Sequence, residues 1–274
     1  MRIFVLFFHC ILLTSHCYTI SMDWDTRRRL FYLVGTLLFI VGVSIYGFRD
    51  TLFPTPTCRD GKQNGYETGV DCGGNCARQC TSETTPISVV WSRAILVSTS
   101  TYDLAALITN KNPNSAPNAL EANFIVFDES GNEIYSEKIK TEPPLLGDMP
   151  VIIQGVKLDK TPKNVSVTLD EGTYYRLPNA FATSLISTVR TRFENGKPSR
   201  VYATIKNLTR NPFVRFKVRV VLYDVSGTAI GVGSTFVERL GIEEEEIIIF
   251  TWPEKFKEPP ALIRVYPILE VSSL

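Results

Sequence analysis

Four cysteines crowd one short stretch of the 274-residue chain, with the spacing C-x13-C-x3-C-x3-C. They are Cys58, Cys72, Cys76 and Cys80. Asp, Asn and Glu side chains and several glycines lie between them, with almost no apolar residue. Because such a segment buries too little apolar surface to fold unaided, it needs a cross-link. The cysteines therefore predict either disulfides or a metal site.

Two disulfides are the first prediction for these cysteines. They suit an oxidising compartment outside the cytoplasm, and four cysteines allow three pairings that the sequence does not separate. A four-cysteine zinc site is the alternative. Structural zinc sites more often use C-x2-C spacing, and thiols rarely stay reduced outside the cytoplasm.

The same stretch carries the outline of a calcium loop. Counting Asp60 as position 1 places Asn64 at position 5 and Asp71 at position 12, close to the EF-hand pattern. Lys62 departs from that pattern because it places a positively charged side chain at position 3, where the loop needs a ligand. The alternative is that Asp, Asn and Gly serve here as turn formers. Calcium at Asp60, Asn64 and Asp71 is thus a minor hypothesis, and no other cofactor is expected.

Histidine is confined to the first residues of the chain, at His9 and His16. A Ser-His-Asp or Cys-His catalytic set and a histidine-bound zinc are therefore excluded from everything that follows. The formal charge of +1 and the lack of a long basic cluster also argue against a nucleic-acid partner.

An uncharged apolar run from Leu30 to Phe48 predicts one transmembrane helix. At about 1.5 Å per residue it matches the hydrocarbon core of a bilayer. Arg27, Arg28 and Arg29 precede it, so the positive-inside rule places the N-terminus in the cytoplasm and the remainder outside. The expected location is the cell membrane, with residues 22–29 as a short cytoplasmic head.

The first 21 residues form a further apolar extension that resembles the core of a signal peptide. A cleaved signal would place the three arginines outside, against the charge rule. We therefore expect translation to start at Met22, which leaves residues 1–21 as an upstream extension of the reading frame. Residues 49–57 contain two prolines and predict a semi-rigid linker.

From Ile87 onward the pattern is all-β. Segments of alternating polarity recur between Asn, Gly and Pro clusters, and no long helical period appears. In residues 120–127 one face carries Leu120, Ala122, Phe124 and Val126. In residues 213–224 one face is predicted to carry Val214, Phe216, Val218, Val220 and Leu222.

The β region contains an internal repeat. Each copy has an apolar strand, Ile-x-Asn, a polar turn, an alternating strand and Asp-x-Ser-Gly, with the asparagines at Asn110 and Asn207. The interval of about 95 residues suits an immunoglobulin-like sandwich. We expect two tandem immunoglobulin-like β-sandwiches, at residues 84–178 and 179–274, behind a disulfide-stapled module at residues 58–80.

Two sets of side chains leave alternatives open. Arg215, Lys217 and Arg219 form a basic row that is either the solvent face of a strand or a contact for anionic lipid or wall polymer. Trp91 and Trp252 either pack in the core or form an exposed platform for stacking sugars.

Several motifs resemble known families. The stretch "CRDGKQNGYETGVDCGGNC" resembles a Cys-rich motif of bacterial surface proteins, which implies a place outside the cell. "VVLYD" resembles the FxLYD-type domain and, more loosely, the late-embryogenesis-abundant type 2 sandwich, both immunoglobulin-like. The whole order resembles that of bacterial single-span membrane proteins with no assigned activity.

The sequence thus predicts a non-enzymatic envelope protein with a structural or protein-interaction role. Its expected partners are the lipid bilayer and an envelope protein or wall polymer. The alternatives are a calcium- or glycan-sensing ectodomain and, less favoured, a glycan-processing enzyme.

Overall fold

The computed structural model describes residues 23–52, 55–177 and 185–269. The extension at residues 1–21, the Met22 start and the expected sandwich boundary at 178/179 lie outside these residues. The chain divides into two units, residues 1–56 and residues 57–274.

The first unit is helical. Helix α1 spans Trp24–Gly47, and the single turn α2 spans Arg49–Leu52. Asp23 caps α1, because its carboxylate accepts a hydrogen bond from the Trp24 N–H. None of the α1 side chains is buried. By length and composition α1 could cross a membrane.

The second unit is mostly β-sheet, as predicted. It begins with the Cys-rich module and the 3-10 turn Thr81–Glu83. Its first eight strands are β1 Ser88–Ser98, β2 Thr101–Asn110, β3 Ser115–Pro117, β4 Leu120–Phe127, β5 Glu133–Thr141, β6 Gly147–Lys157, β7 Asn164–Glu171 and β8 Tyr174–Arg176. The remaining six are β9 Ile186–Glu194, β10 Ser199–Asn207, β11 Phe213–Tyr223, β12 Ala229–Leu240, β13 Glu245–Trp252 and β14 Leu262–Ile268.

The strands form two sandwiches with the same strand order. In the first, sheet β1-β2-β6 packs on sheet β5-β4-β7, and a small β3-β8 ladder lies beside them. In the second, sheet β9-β10-β13 packs on sheet β12-β11-β14. All the pairings are antiparallel. The two halves thus share one strand order, and the internal repeat stays a prediction from the sequence.

Alternation places the expected side chains in the first core. Leu120, Ala122, Phe124 and Val126 are all buried on one face of β4. In β11 the prediction was wrong at Val214, which is exposed while Phe213 is buried in its place. Arg215 has a φ of 48° and shifts the alternation there, so that Phe216, Val218 and the residues after them return to the predicted face.

The two sandwiches also pack against each other. The outer face of β1-β2-β6 meets the outer face of β12-β11-β14 through a third apolar cluster. Its buried members are Ile95, Ala105, Val221, Tyr223, Ala229 and Val232. The four sheets are therefore stacked in four layers, with the two middle sheets covered on both faces.

A buried ion pair lies at the same interface. Arg219 on β11 donates to the Pro150 carbonyl at 2.7 Å and to the Glu142 carboxylate at 2.9 Å. Lys217 also pairs with Glu142. The basic row is thus not simply a solvent face, because two of its three members bind the β5–β6 loop of the other sandwich.

Glu142 is the acidic centre of this contact. Burial would raise the pKa of its carboxyl, but the hydrogen bond from Lys217 and the charge of Arg219 outweigh burial and lower it. Burial lowers the pKa of the Arg219 guanidinium, yet an arginine titrates so far above neutral pH that it stays charged.

We predict that Glu142→Gln destabilises the β unit by about 3–5 kcal/mol, because it leaves a buried guanidinium without its counter-charge. Denaturant unfolding of the full chain in detergent, followed by tryptophan fluorescence, measures the loss. Glu121→Gln is the matched control, since its partner Lys138 is half exposed; surface pairs contribute about 0–1 kcal/mol. Equal effects of the two substitutions would contradict the prediction.

The same pair predicts a direction of pH dependence. A carboxyl whose pKa is lowered on folding stabilises the folded state above its unfolded value of 4.5. That stability is lost as the pH falls through the lower folded value. The Glu142→Gln chain should therefore lose less stability than the wild type in acid, and denaturant midpoints from pH 7 downward provide the measurement.

Candidate functional site

The Cys-rich module is held by two disulfides. Cys58 pairs with Cys76, and Cys72 pairs with Cys80, with Cα–Cα distances of 5.7 and 5.1 Å. This is one of the three pairings that the sequence left open. Within the described ranges, the only three His, Cys, Asp or Glu side chains whose ligand atoms lie within 4.8 Å of one another are Cys58, Glu67 and Cys76. Since both of these sulfurs form a disulfide, they are not thiolate ligands and the zinc alternative does not fit this structure.

Glycines allow the module to close tightly. A Cβ added at Gly74, where φ is 54°, would lie 1.5 Å from the Tyr66 carbonyl oxygen. A Cβ at Gly73 would lie 1.7 Å from the Thr68 hydroxyl. The chain therefore passes another backbone segment at Gly74 and a side chain at Gly73, at distances that no larger residue permits. The Gly-Gly pair of the motif is explained by this close approach.

Glu67 organises the turn around which the module folds. Its carboxylate accepts hydrogen bonds from the Asn64 and Asp71 backbone N–H groups, each at 3.3 Å. Thr68 donates to Glu83, which ties the turn to the 3-10 segment. Glu67 was not among the residues predicted for the site. The signal that could have found it was its carboxylate between Asp60 and Asp71 in the same loop.

The module is docked on the first sandwich. The Gln79 N–H donates to the Tyr174 carbonyl at 2.9 Å, and the Arg176 N–H donates to the Ala77 carbonyl at 2.7 Å. Arg78 and Tyr175 form a β-bridge. The module thus continues the β3-β8 ladder by one short segment.

The three predicted calcium ligands lie in one loop and are already hydrogen-bonded. The Asp60 carboxylate accepts from the Lys62 N–H at 3.0 Å and from the Asn64 amide at 2.7 Å. The Asp71 carboxylate accepts from the Gly61 N–H at 3.0 Å. The hydrogen bond from Asn64 is the largest cause of a lowered pKa at Asp60. These contacts are those of turn-forming side chains.

One atom of this loop lacks a partner. The Oδ1 atom of Asn64 is buried and accepts no hydrogen bond from the described residues. Lys62 is exposed. Calcium at Asp60, Asn64 and Asp71 stays a prediction of the sequence.

The three arginines predicted to set the membrane orientation belong to α1. Arg27, Arg28 and Arg29 lie in its first two turns, and all three are exposed. The Arg28 guanidinium stacks between Trp24 and Tyr32, at 5.5 and 5.9 Å from their ring centroids. Tyr46 lies at the other end of α1. Aromatic side chains at both ends and arginines at one end are the pattern of a membrane-spanning helix.

The two tryptophans pack within the β unit. Trp252 is buried and donates its indole N–H to the Val232 carbonyl at 2.9 Å. Trp91 makes an edge contact with Tyr223 across the interface between the sandwiches, at 6.3 Å between ring centroids. Both therefore contribute to packing, and neither forms the flat exposed platform that sugar stacking requires.

Two buried asparagines make equivalent hydrogen bonds in the two sandwiches. Asn110 donates to the carbonyls of Ser115 and Pro144, and Asn207 donates to those of Asn211 and Gly241. Each joins the turn that follows its own strand to a later turn of the same sandwich. The repeated Ile-x-Asn motif signalled these positions without revealing their role.

No family model matches the chain, and no curated protein matches it. Among solved structures, the chain is similar to red sea bream transglutaminase, with 11% sequence identity and a TM-score of 0.21. The match covers 68% of this chain and 31% of the transglutaminase chain, so this chain spans about a third of that protein. The resemblance to FxLYD-type domains stays a prediction from the residues.

We predict that Gly74→Ala prevents correct closure of the module, because the new Cβ meets a backbone carbonyl that cannot move aside. Non-reducing peptide mapping should then find free thiols or exchanged pairs among the four cysteines. Gly61→Ala is the matched control: its φ of 72° is equally left-handed, but nothing lies within 4 Å of the added Cβ. Native pairing in both variants would contradict the close approach described above.

The calcium hypothesis predicts that millimolar CaCl2 raises the melting temperature of the full chain in detergent relative to the same sample in chelator. Asp71→Asn should abolish that rise, whereas Asp148→Asn, a change of an exposed aspartate on β6, should leave it intact. An unchanged melting temperature in the wild type removes calcium from this loop.

Proposed function

We propose that this chain is a single-span membrane protein that displays its β unit outside the cytoplasm in a structural or protein-interaction role. The observation that carries the proposal is the pair of disulfides in a module that begins at Cys58, shortly after the uncharged apolar run from Leu30 to Phe48. Disulfides persist in oxidising compartments. No α1 side chain is buried, and an apolar helix of this length suits a lipid environment.

The orientation follows from the charges next to α1. Three arginines precede the apolar run, and Arg49 after it is paired with Asp50 at 3.3 Å. The excess of positive charge therefore lies at the N-terminal end, which favours a cytoplasmic head and an extracytoplasmic β unit. Every disulfide cysteine then lies on the oxidising side.

A non-enzymatic role is supported by the construction of the β unit. Two of its buried charged side chains are engaged: Arg219 binds Glu142 and the Pro150 carbonyl, and Asp103 accepts from the Gly155 N–H. The two asparagines buried at strand ends serve turns. These buried polar side chains thus hold turns and sandwiches together, as expected of a rigid display scaffold.

The topology predicts which positions a membrane-impermeant maleimide can label in intact cells. Val225→Cys places a thiol in the exposed turn between β11 and β12, and we expect it to be labelled without lysis. Thr26→Cys, in the predicted cytoplasmic head, should be labelled only after permeabilisation. The wild-type chain provides the background from its own cysteines, and the reverse pattern would overturn the orientation.

A further inference from the structure

A large cleft lies between the two sandwiches. It has a volume of about 1010 Å³. One wall is the second half of β1 with the start of β7, and the other is formed by the β11–β12 turn and the β13–β14 loop. The packing of the two sandwiches creates this cleft, and neither sandwich has it alone.

The β1 wall is a strand edge with no partner. β1 pairs with β2 on one side only, and no other strand of the described ranges pairs with it. At Ser92, β7 covers the edge of β1, because the Ser92 hydroxyl donates a hydrogen bond to the Val165 carbonyl of β7 at 2.7 Å. Beyond Ser92, residues 93–98 line the cleft. Along the free edge of an antiparallel strand, alternate residues point their N–H and C=O groups outward, and these groups can form hydrogen bonds with an added strand.

Apolar side chains lie beside this edge. Leu96, near the end of edge strand β1, is 59% exposed. Across the cleft, Ile230 and Phe256 are partly buried against the second core, and Phe256 makes an edge contact with Trp252 at 5.5 Å. An extended segment laid along β1 would bury one row of its side chains against these three residues.

The cations of the cleft outnumber its free carboxylates. Lys163, Lys255 and Lys257 are exposed and form no ion pair within the described structure. Arg93 contacts the face of Trp91 at 5.8 Å and acts at longer range on Asp224, but its Nε atom is buried without an acceptor.

The acidic side chains of the cleft are mostly engaged. Glu254 pairs with Lys197 at 2.9 Å. Asp224 accepts from two N–H groups of its own turn, and Asp103 accepts from the Gly155 N–H at 2.9 Å. Glu258 is the acidic group that remains free there. The unpaired charge facing a ligand in the cleft is therefore positive.

We propose that this cleft binds an extended acidic segment of a partner protein as an added strand on β1. Backbone groups of residues 93–98 would pair with the segment, which at about 3.3 Å per residue spans roughly 20 Å. Alternate apolar side chains would meet Leu96 and Phe256, and the carboxylates would meet Lys255 and Lys257. The inference rests on the proposed interaction role and specifies its surface and the kind of partner.

A strand edge distinguishes a peptide from other polyanions. An anionic wall polymer would use only the cations, since it has no regularly spaced N–H and C=O groups. The free edge, the apolar side chains and the cations occur together in this cleft, and an acidic peptide satisfies all three. Binding through charge alone is the competing outcome of the test.

The test uses the full chain in detergent and a fluorescein-labelled ten-residue peptide of alternating Glu and Val, titrated by fluorescence anisotropy. We expect saturable binding that weakens about tenfold or more in Lys255→Glu/Lys257→Glu. Lys111→Glu/Arg210→Glu is the matched control, because it makes the same charge change at exposed positions away from the cleft. It should change the affinity by no more than about twofold.

A second probe isolates strand pairing. The same peptide with N-methyl groups on alternate residues keeps its charge but loses backbone donors, and we expect it not to bind. Equal binding of the methylated peptide, or full competition by polyphosphate, would show attraction by charge alone and overturn the inference.

Lack of saturable binding by the unmethylated peptide would also overturn the inference. If Val225→Cys is still labelled in intact cells in that case, the proposed membrane display stands without this partner surface. The reverse labelling pattern would instead refute the proposed function itself.

Discussion

The face-to-face contact between the two sandwiches is the constraint on which the rest of the β unit depends. It buries the outer faces of β1-β2-β6 and β12-β11-β14, and it encloses Arg219 with Glu142. A buried guanidinium is tolerated only where acceptors surround it, so the pair fixes how the sandwiches meet. Because that arrangement is fixed, β1 and the β13–β14 loop stand opposite each other and form the cleft.

This contact also explains a pattern in the strands. β4 and β10, whose sheets form the outer layers, alternate regularly between buried and less buried residues. β2 and β11, in the middle layers, carry unbroken buried runs at residues 103–108 and 218–223. A strand covered on both faces needs apolar or paired side chains at consecutive positions, whereas a strand covered on one face needs them at alternate positions.

The turn residues of the two halves explain why the sequence suggests a repeat. Asp128 and Asp224 each accept hydrogen bonds from two N–H groups of the turn after their strand. Asn110 and Asn207 each bridge two turns of their sandwich. These contacts require one particular side chain at one particular place, while core positions accept any apolar side chain of similar size. The two halves therefore share these polar turn residues, although their core residues differ.

The sequence by itself determined the features that depend on local pattern: an apolar helix, all-β architecture, the β4 core face and cysteines that need a cross-link. Each follows from periodicity, composition or spacing within one segment. The tertiary structure alone decided the disulfide pairing, the shift of alternation at Arg215, the docking of the Cys-rich module on β8 and the burial of Arg219. Those features depend on contacts between segments far apart in the chain. In the sequence, Arg219 resembled a solvent-facing cation. Its partner Glu142 belongs to the other sandwich, so the alternation of residues within β11 contains no information about it.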